Sequence, residues 1–298
     1  MKKHSGFVAI IGSPNVGKST LLNQLVGEKL AGVTSKPQTT RGVIRGIRTQ
    51  PEGQIVFLDT PGYHKPHDAL GKWMIREIEK TLPGADLLYW MVLPYVPSAE
   101  EKTLAEKLRS VKTLPVFLLI NQIDRFRKPQ ILPVLEAYRK LFDFRELIPI
   151  SAKTGEQIPL LIRKTYGYLP ENEYFFPDDQ VSDQHQRHFV QEIIREKIFL
   201  STGREVPYST SVMIDSFKER DEKLVHIQAT IITEKQSQKA ILIGKQGQKL
   251  KQIGQRARLD LEKFLGRKVF LQLWVKVLPH WKRDENLLDR LGYKHQNS

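Results

Sequence analysis

The sequence predicts two folded domains, an α/β domain on a doubly wound, mostly parallel sheet and then a smaller α+β domain. Three observations predict it. Short apolar runs alternate with helix-period segments over residues 7–168, a stretch with two prolines at 169–180 breaks both periodicities, and beyond it helix and strand patterns no longer alternate. At 298 residues the chain also exceeds the usual size of one hydrophobic core.

Phe7–Ile11 is an apolar run stopped by Gly12, and similar runs lie at Ile55–Leu58, Ala85–Val92, Val116–Ile120 and Leu147–Ile150. Such runs read as parallel strands buried on both faces. Helix patterns fill the intervals at Ser19–Val26, Asp68–Leu82, Ser98–Arg109, Pro129–Phe142 and Glu156–Tyr168, and Ser98 with Glu101 has capping-box spacing. The expected domains are therefore residues 1–170, a linker at 171–183, and residues 184–298. In the second domain Gln184–Leu200 reads as a helix closed by Gly203, Ser209–Phe217 and Lys223–Thr233 as strands, Gln246–Leu265 as a long helix and Val269–Val277 as a last strand.

Charge divides the halves. Residues 1–180 carry 25 Lys/Arg against 19 Asp/Glu, whereas Lys235–Lys276 carries 11 against 2 within a chain of net charge +14. A basic run is commonly a solvated face, but this density points to a polyanion, nucleic acid before membrane. The absence of cysteine excludes disulfides, thiolate zinc sites and Cys nucleophiles. No apolar run approaches the roughly 20 residues that span a bilayer, and Met1-Lys2-Lys3 leads into a strand-like run, so a soluble cytoplasmic protein is expected.

Gly12-Ser13-Pro14-Asn15-Val16-Gly17-Lys18-Ser19 fits G-x-x-x-x-G-K-[ST] and lies where that motif must, after a strand and at a helix start. Its backbone and the helix N-terminus, continuing into Thr20, suit phosphates. Lys18 bridges the β- and γ-phosphates and the Ser19 hydroxyl ligates Mg²⁺. Asp59-Thr60-Pro61-Gly62 ends the next central strand; Asp59 can hold Mg²⁺ through water, and Gly62 can offer its N–H to a γ-phosphate. Asn121-Gln122-Ile123-Asp124 and Ser151-Ala152-Lys153 also follow strands. Asp124 can accept from guanine N1–H and its 2-amino group, a donor pair that adenine lacks.

These motifs, in order over residues 7–155, resemble those of translational-type GTPases, and Gly12–Thr20 with Pro37–Arg41 and Asp59–Lys65 resembles the Era family of bacterial GTPases. The resemblance implies a P-loop GTPase domain with Thr40, beside Thr39, closing on Mg²⁺ and the γ-phosphate. It also implies a potassium ion at Asn15 supplying charge during hydrolysis; a loop-stabilising hydrogen bond is that residue's alternative role. The sequence departs from the pattern twice: Gln122 replaces the usual Lys, and Tyr63 stands where some GTPases place a water-orienting Gln. Slow intrinsic turnover is expected, with Lys18, Thr40, Gly62 and Asn15 as the catalytic set.

Ile243-Gly244-Lys245-Gln246-Gly247 places G-x-x-G before a helix carrying Lys249 and Lys251, the arrangement of a KH RNA-binding domain. Ile241, Leu242, Ile243, Leu250 and Ile253 are expected to form the apolar floor. The Era resemblance implies a KH domain of the helix-first type (type II) over about 185–292, with a C-terminal tail at 277–293. Trp274 and Trp281 could stack on bases, although Trp274 in a strand reads as core. His64/His67 and His185/His188 lack further ligands and read as solvated.

By resemblance the protein is a monomeric GTP-hydrolysing switch that binds the 3′ end of 16S ribosomal RNA and serves small (30S) subunit assembly. Two rivals stay open: an RNA-binding assembly protein with little turnover, and a GTPase drawn peripherally to the anionic inner membrane.

Overall fold

The computed structural model describes residues 2–34, 36–109, 114–203 and 205–293, so Met1 and the last five residues of the expected second domain lie outside it. The chain divides into two compact units. One comprises residues 1–31, 40–65 and 74–183, the other 32–39, 66–73 and 184–298.

In the first unit β1 (Gly6–Gly12) leads through α1 (Lys18–Val26) to the hairpin of β2 (Ile44–Gln50) and β3 (Gly53–Asp59). Then follow α2 (Ala69–Thr81), whose residues 69–73 group with the second unit, β4 (Leu87–Val92), α3 (Ala99–Arg109), β5 (Val116–Ile120), α4 (Lys128–Leu141), β6 (Glu146–Pro149) and α5 (Ile158–Tyr166). The sheet order is β2-β3-β1-β4-β5-β6, and all pairings except β2 with β3 are parallel. Every residue of β3, β4 and β5 is buried, as continuous apolar runs covered on both faces require. The Ser98–Glu101 capping box forms, the Glu101 N–H donating to Ser98 Oγ at 3.2 Å and the Ser98 N–H to Glu101 Oε2 at 2.8 Å.

β2 escaped the pattern because it is an edge strand with apolar residues only at Ile44 and Ile47. A Cβ at its Gly46 would lie 2.6 Å from Val26 Cγ2, so β2 packs by its backbone against α1. The 171–183 stretch is strapped to this edge: Gln54 Oε1 accepts from the N–H groups of Phe175 and Phe176, and the Ile47 N–H donates to the Val181 carbonyl.

In the second unit α6 (Gln186–Ser201), β7 (Ser211–Glu219), β8 (Leu224–Thr233), α7 (Gln236–Ile243), α8 (Gln248–Leu265), β9 (Lys268–Val277) and α9 (Glu285–Arg290) follow in order. The sheet is β7-β8-β9, antiparallel then parallel, with α7 and α8 as the crossover between β8 and β9. Val190, Ile194, Ile198, Ile227, Ile231, Leu242 and Ile253 fill the core between sheet and helices. The apolar stretch before the G-x-x-G is therefore helix α7, started by Gln238 Oε1 accepting from the N–H groups of Glu234 and Lys235.

Two readings are corrected here. Trp281 is fully buried, its Nε1–H donating to the Ser209 carbonyl and its ring stacked on Tyr293, so it cannot meet a base. Trp274, expected in the core, is 47% exposed because its strand position points away from the helices. No helix among the described residues is long and apolar enough to cross a membrane.

Candidate nucleotide and RNA sites

The phosphate loop opens from β1, flanked by β3 and β4 at the carboxyl edge of the sheet, where doubly wound folds bind ligands. Its glycines are structural necessities. Gly12 has φ 153° and a Cβ there would lie 2.3 Å from the Met91 carbonyl oxygen; Gly17 has φ 101° and a Cβ would meet Asn121 Nδ2 at 2.3 Å. Asn15, in the left-handed region at φ 63°, shapes the loop between them. Lys18 is buried and donates to the Gly12 and Ser13 carbonyls at 3.0 and 3.1 Å, curling back over the loop. Burial lowers its pKa to about 8, against an opposing pull from Asp59.

Ser19 Oγ lies 2.8 Å from both Thr40 Oγ1 and Asp59 Oδ2. Three hard oxygens from α1, the loop before β2 and the end of β3 thus converge beside the Lys18 ammonium. That donor set fits Mg²⁺, which takes oxygen ligands and keeps water in part of its shell. Thr60 is committed to the fold, its hydroxyl donating to the Ile10 carbonyl at 2.8 Å. After Pro61, Gly62 lies on the phosphate loop: a Cβ there would sit 2.8 to 3.0 Å from three atoms of Pro14. The Tyr63 N–H donates to the Gly12 carbonyl, and Lys107 holds its ammonium 5.7 Å from the Tyr63 ring centroid.

The base motifs form one network. Asn121 Nδ2 donates to the Val16 carbonyl at 2.7 Å, and Asn121 Oδ1 accepts the Ala152 N–H at 2.9 Å. Ser151 Oγ donates to Asp124 Oδ1 at 2.8 Å and accepts the Thr154 N–H, fixing the carboxylate. Gln122, left-handed at φ 66°, accepts from Arg125 and does not reach the phosphate loop. Lys153 is exposed beside this network. Thr154 is a participant the motif reading missed, and its only signal was adjacency to Ser151. Of the paired histidines, His64 Nδ1 is 2.7 Å from the Gly62 carbonyl, and half-buried His188 has its pKa lowered by burial. Among the described residues no three His, Asp or Glu side chains gather as a metal cluster.

In the second unit the G-x-x-G is a tight left-handed turn between α7 and α8. Gly244 has φ 70° and a Cβ would lie 2.7 Å from Lys249 Cβ; Gly247 has φ 77° with nothing within 4 Å of its Cβ position, open to a phosphate. Lys245 and Gln246 stand exposed at the tip, with Ile243 partly buried before them. A groove of about 380 Å³ runs from Gly247 along Leu250, Lys251, Gly254, Gln255 and Arg258 of α8, facing Leu271 and Leu273 of β9. This corrects the expected floor: Leu242 and Ile253 are fully buried core and Ile241 is exposed, so Leu250 alone of that set lines the groove. Gly254, Gln255, Leu271 and Leu273 were missed. The helical ones repeat from Gly247 at three- and four-residue spacing, a signal present in the sequence, while the β9 pair joins them only through the fold.

Comparison with known proteins agrees with this geometry. The family described as 50S ribosome-binding GTPase matches residues 7–122, and the KH domain family matches residues 205–282. GTPase Era of Syntrophus aciditrophicus is 50% identical over 97% of this chain and 95% of its own length, and GTPase Era of Ruminiclostridium cellulolyticum is 45% identical over 99% of each. Among solved structures, Aquifex aeolicus Era Y63A bound to GDP.AlF4- superposes with TM-score 0.94 at 39% identity, covering 99% of this chain and 100% of that one. Era in complex with MgGDPNP and nucleotides 1506–1542 of 16S ribosomal RNA gives 0.95 at 39% identity, covering 98% and 100%.

Proposed function

The chain belongs to the GTPase Era family, and from that premise we propose how its residues divide the work of a GTP-hydrolysing, RNA-binding switch. The observation that carries the reading is the convergence of Ser19, Thr40 and Asp59 within 2.8 Å contacts beside buried Lys18. Thr40 follows directly on residues 32–39, and Gly62 precedes 66–73; both segments group with the second unit. A γ-phosphate that orders Thr40 and Gly62 therefore acts on chain that continues into the RNA-binding unit. The working domains are residues 1–170 for nucleotide, 171–183 as linker and 184–298 for RNA.

The loop amides of Ser13–Thr20 and Lys18 hold the phosphates, Ser19, Thr40 and Asp59 hold the metal, and Gly62 offers its N–H to the γ-phosphate. Mg²⁺ held by these oxygens would supply positive charge against the phosphates. Asn121 ties the phosphate loop to the Ser151–Lys153 loop, and Asp124, aligned by Ser151, reads guanine. No side chain of the Gln type stands after Gly62, so turnover is slow, with Asn15 placed to hold a potassium ion that supplies the missing positive charge. Replacing potassium by sodium is expected to lower hydrolysis several-fold in the native chain and little in Asn15→Ala.

The RNA reading rests on the Gly244–Gly247 turn and the groove beside it. The relative solved with nucleotides 1506–1542 of 16S ribosomal RNA supports the 3′ end of that RNA as the ligand and small-subunit assembly as the setting. A monomer in the cytoplasm, with peripheral contact to the inner membrane as a secondary association, completes the proposal. The test is affinity for that RNA at fixed salt with GDP and with a non-hydrolysable GTP analogue, repeated with Gly247→Asp. Tighter binding with the analogue, lost in the variant, is expected; equal binding in every state overturns the switch.

A further inference from the structure

β9 is an edge strand, and its two faces differ. Leu271 and Leu273 face α8 and line the groove. Phe270, Gln272 and Trp274 alternate with them and so stand on the opposite face, aligned in register with His226, Gln228 and Thr230 of β8. Phe270 and Trp274 are 48% and 47% exposed, whereas Trp73, Trp90 and Trp281 are buried. Single exposed apolar residues are ordinary on any protein, but here two large rings share one sheet face about 13 Å apart along the strand. Between them Gln228 Nε2 donates to Gln272 Oε1 at 3.0 Å, and the His226 ring lies 5.0 Å from that of Phe270.

The charge of this face is complementary to a polyanion. The same alternation places Lys276 on it, and Lys218 pairs across from His226, whereas Lys268 at the start of the strand holds its ammonium 3.6 Å from Glu262 of α8. Its carboxylate, Asp215, already accepts the Thr230 hydroxyl at 2.7 Å. Rings for stacking, amides for base edges and lysines for phosphates are the parts with which sheet surfaces hold single-stranded RNA. The face is also continuous with the groove, since both belong to one strand that has no further strand paired to it among the described residues.

We propose that the outer face of the β7-β8-β9 sheet is a second RNA surface, on which single-stranded RNA leaving the groove turns over the edge of β9 and stacks bases on Phe270 and Trp274. The inference rests on the groove binding RNA and extends it. A turn of the G-x-x-G kind clamps about four nucleotides, so the outer face acts only on longer strands.

The experiment uses the whole chain, with single-stranded RNAs of about four and about twelve nucleotides of the same composition at fixed salt. Iodide quenching of tryptophan fluorescence reports mainly Trp274, the exposed indole. The longer RNA is expected to protect it and the shorter one not. Removing both rings, F270A with W274A, is expected to weaken the longer RNA about tenfold or more while the shorter stays within twofold, and W274F to restore most of the loss. Unchanged affinity for the longer RNA in the double variant, or quenching that the longer RNA leaves unaltered, overturns the proposal and assigns the face to a protein partner or to solvent. A short RNA that fails to bind the native chain overturns the groove reading instead. The quenching measurement needs no substitution, so the test stands even where the double variant does not fold.

Discussion

Asn121 is the side chain whose loss reveals most about the nucleotide site. It is 3% exposed, donates to the Val16 carbonyl at 2.7 Å and accepts the Ala152 N–H at 2.9 Å. It therefore ties the phosphate loop to the loop behind the base. Asn121→Ala withdraws both partners from buried backbone groups, each loss costing about 1–3 kcal/mol, so about 2–6 kcal/mol is shared between folding and nucleotide affinity. Relaxed loops in the nucleotide-free state recover part of that, while the bound state requires both loops in place. We expect the Kd for GDP to rise about 30-fold or more, read by titration of a fluorescent GDP, alongside a fall in urea stability of about 1–2 kcal/mol. Asn121→Asp separates the two bonds, because the carboxylate still accepts the Ala152 N–H but sets an oxygen against the Val16 carbonyl. It is expected to bind GDP no better than the alanine variant. An Asn121→Ala chain with a Kd within threefold of native would refute the reasoning.

Lys18 has its pKa lowered to about 8 by burial, so at pH 9 the nucleotide-free chain has lost most of that proton; phosphates restore it, and GDP binding should take up most of a proton there. Calorimetry in buffers of different ionisation enthalpy measures this, and Lys18→Ala should remove the larger part of the uptake. Without nucleotide the unfolded chain holds the proton between about pH 8 and 10.5 and the folded chain does not, so this group's contribution to stability rises with pH across that window. Asp124→Asn replaces the acceptor of two guanine donors with a group that meets them with its own N–H₂; guanine over xanthine selection should fall by about 10² or more in competition binding, and undiminished selection would sink the assignment. Arg195 is 1% exposed and donates through Nε and a terminal nitrogen to Glu192. Glu192→Ala leaves that guanidinium buried without its carboxylate and should cost about 3–5 kcal/mol in urea unfolding, Glu192→Gln distinctly less; a loss under about 1 kcal/mol would show that the pair is not buried in solution.

Most of the nucleotide site was legible because each motif is contiguous and sits at a strand end. Gly12–Ser19, Asp59–Gly62, Asn121–Asp124 and Ser151–Lys153 each follow an apolar run, and a doubly wound sheet brings the carboxyl ends of β1, β3, β5 and β6 to one edge. β2 was not legible, since an edge strand with two apolar residues lacks the burial that writes a pattern. Nor was α7, whose four apolar residues Ala240–Ile243 fit a buried strand as well as a helix turn.

The tryptophans mark where sequence stops. Both positions read as a large ring among mixed neighbours, yet Trp281 is enclosed by Ser209 and Tyr293 while Trp274 faces outward from β9. A strand pattern specifies that alternate residues face opposite ways, but which face meets the helices is settled by the helices. The groove shows the same division: Gly247, Leu250, Lys251, Gly254 and Arg258 were ordered along one helix by its 3.6-residue period, and Leu271 and Leu273 became its far wall only when β9 paired with β8. Reading along the chain was enough for most of the elements, for the phosphate loop and for the candidate carboxylates Asp59 and Asp124, because local spacing and backbone conformation suffice for them, whereas Thr40 entered only through the family resemblance. Tertiary structure alone decided which ring is buried, what walls the groove, and that residues 32–39 and 66–73 group with the second unit, because those outcomes depend on contacts between residues far apart in the chain.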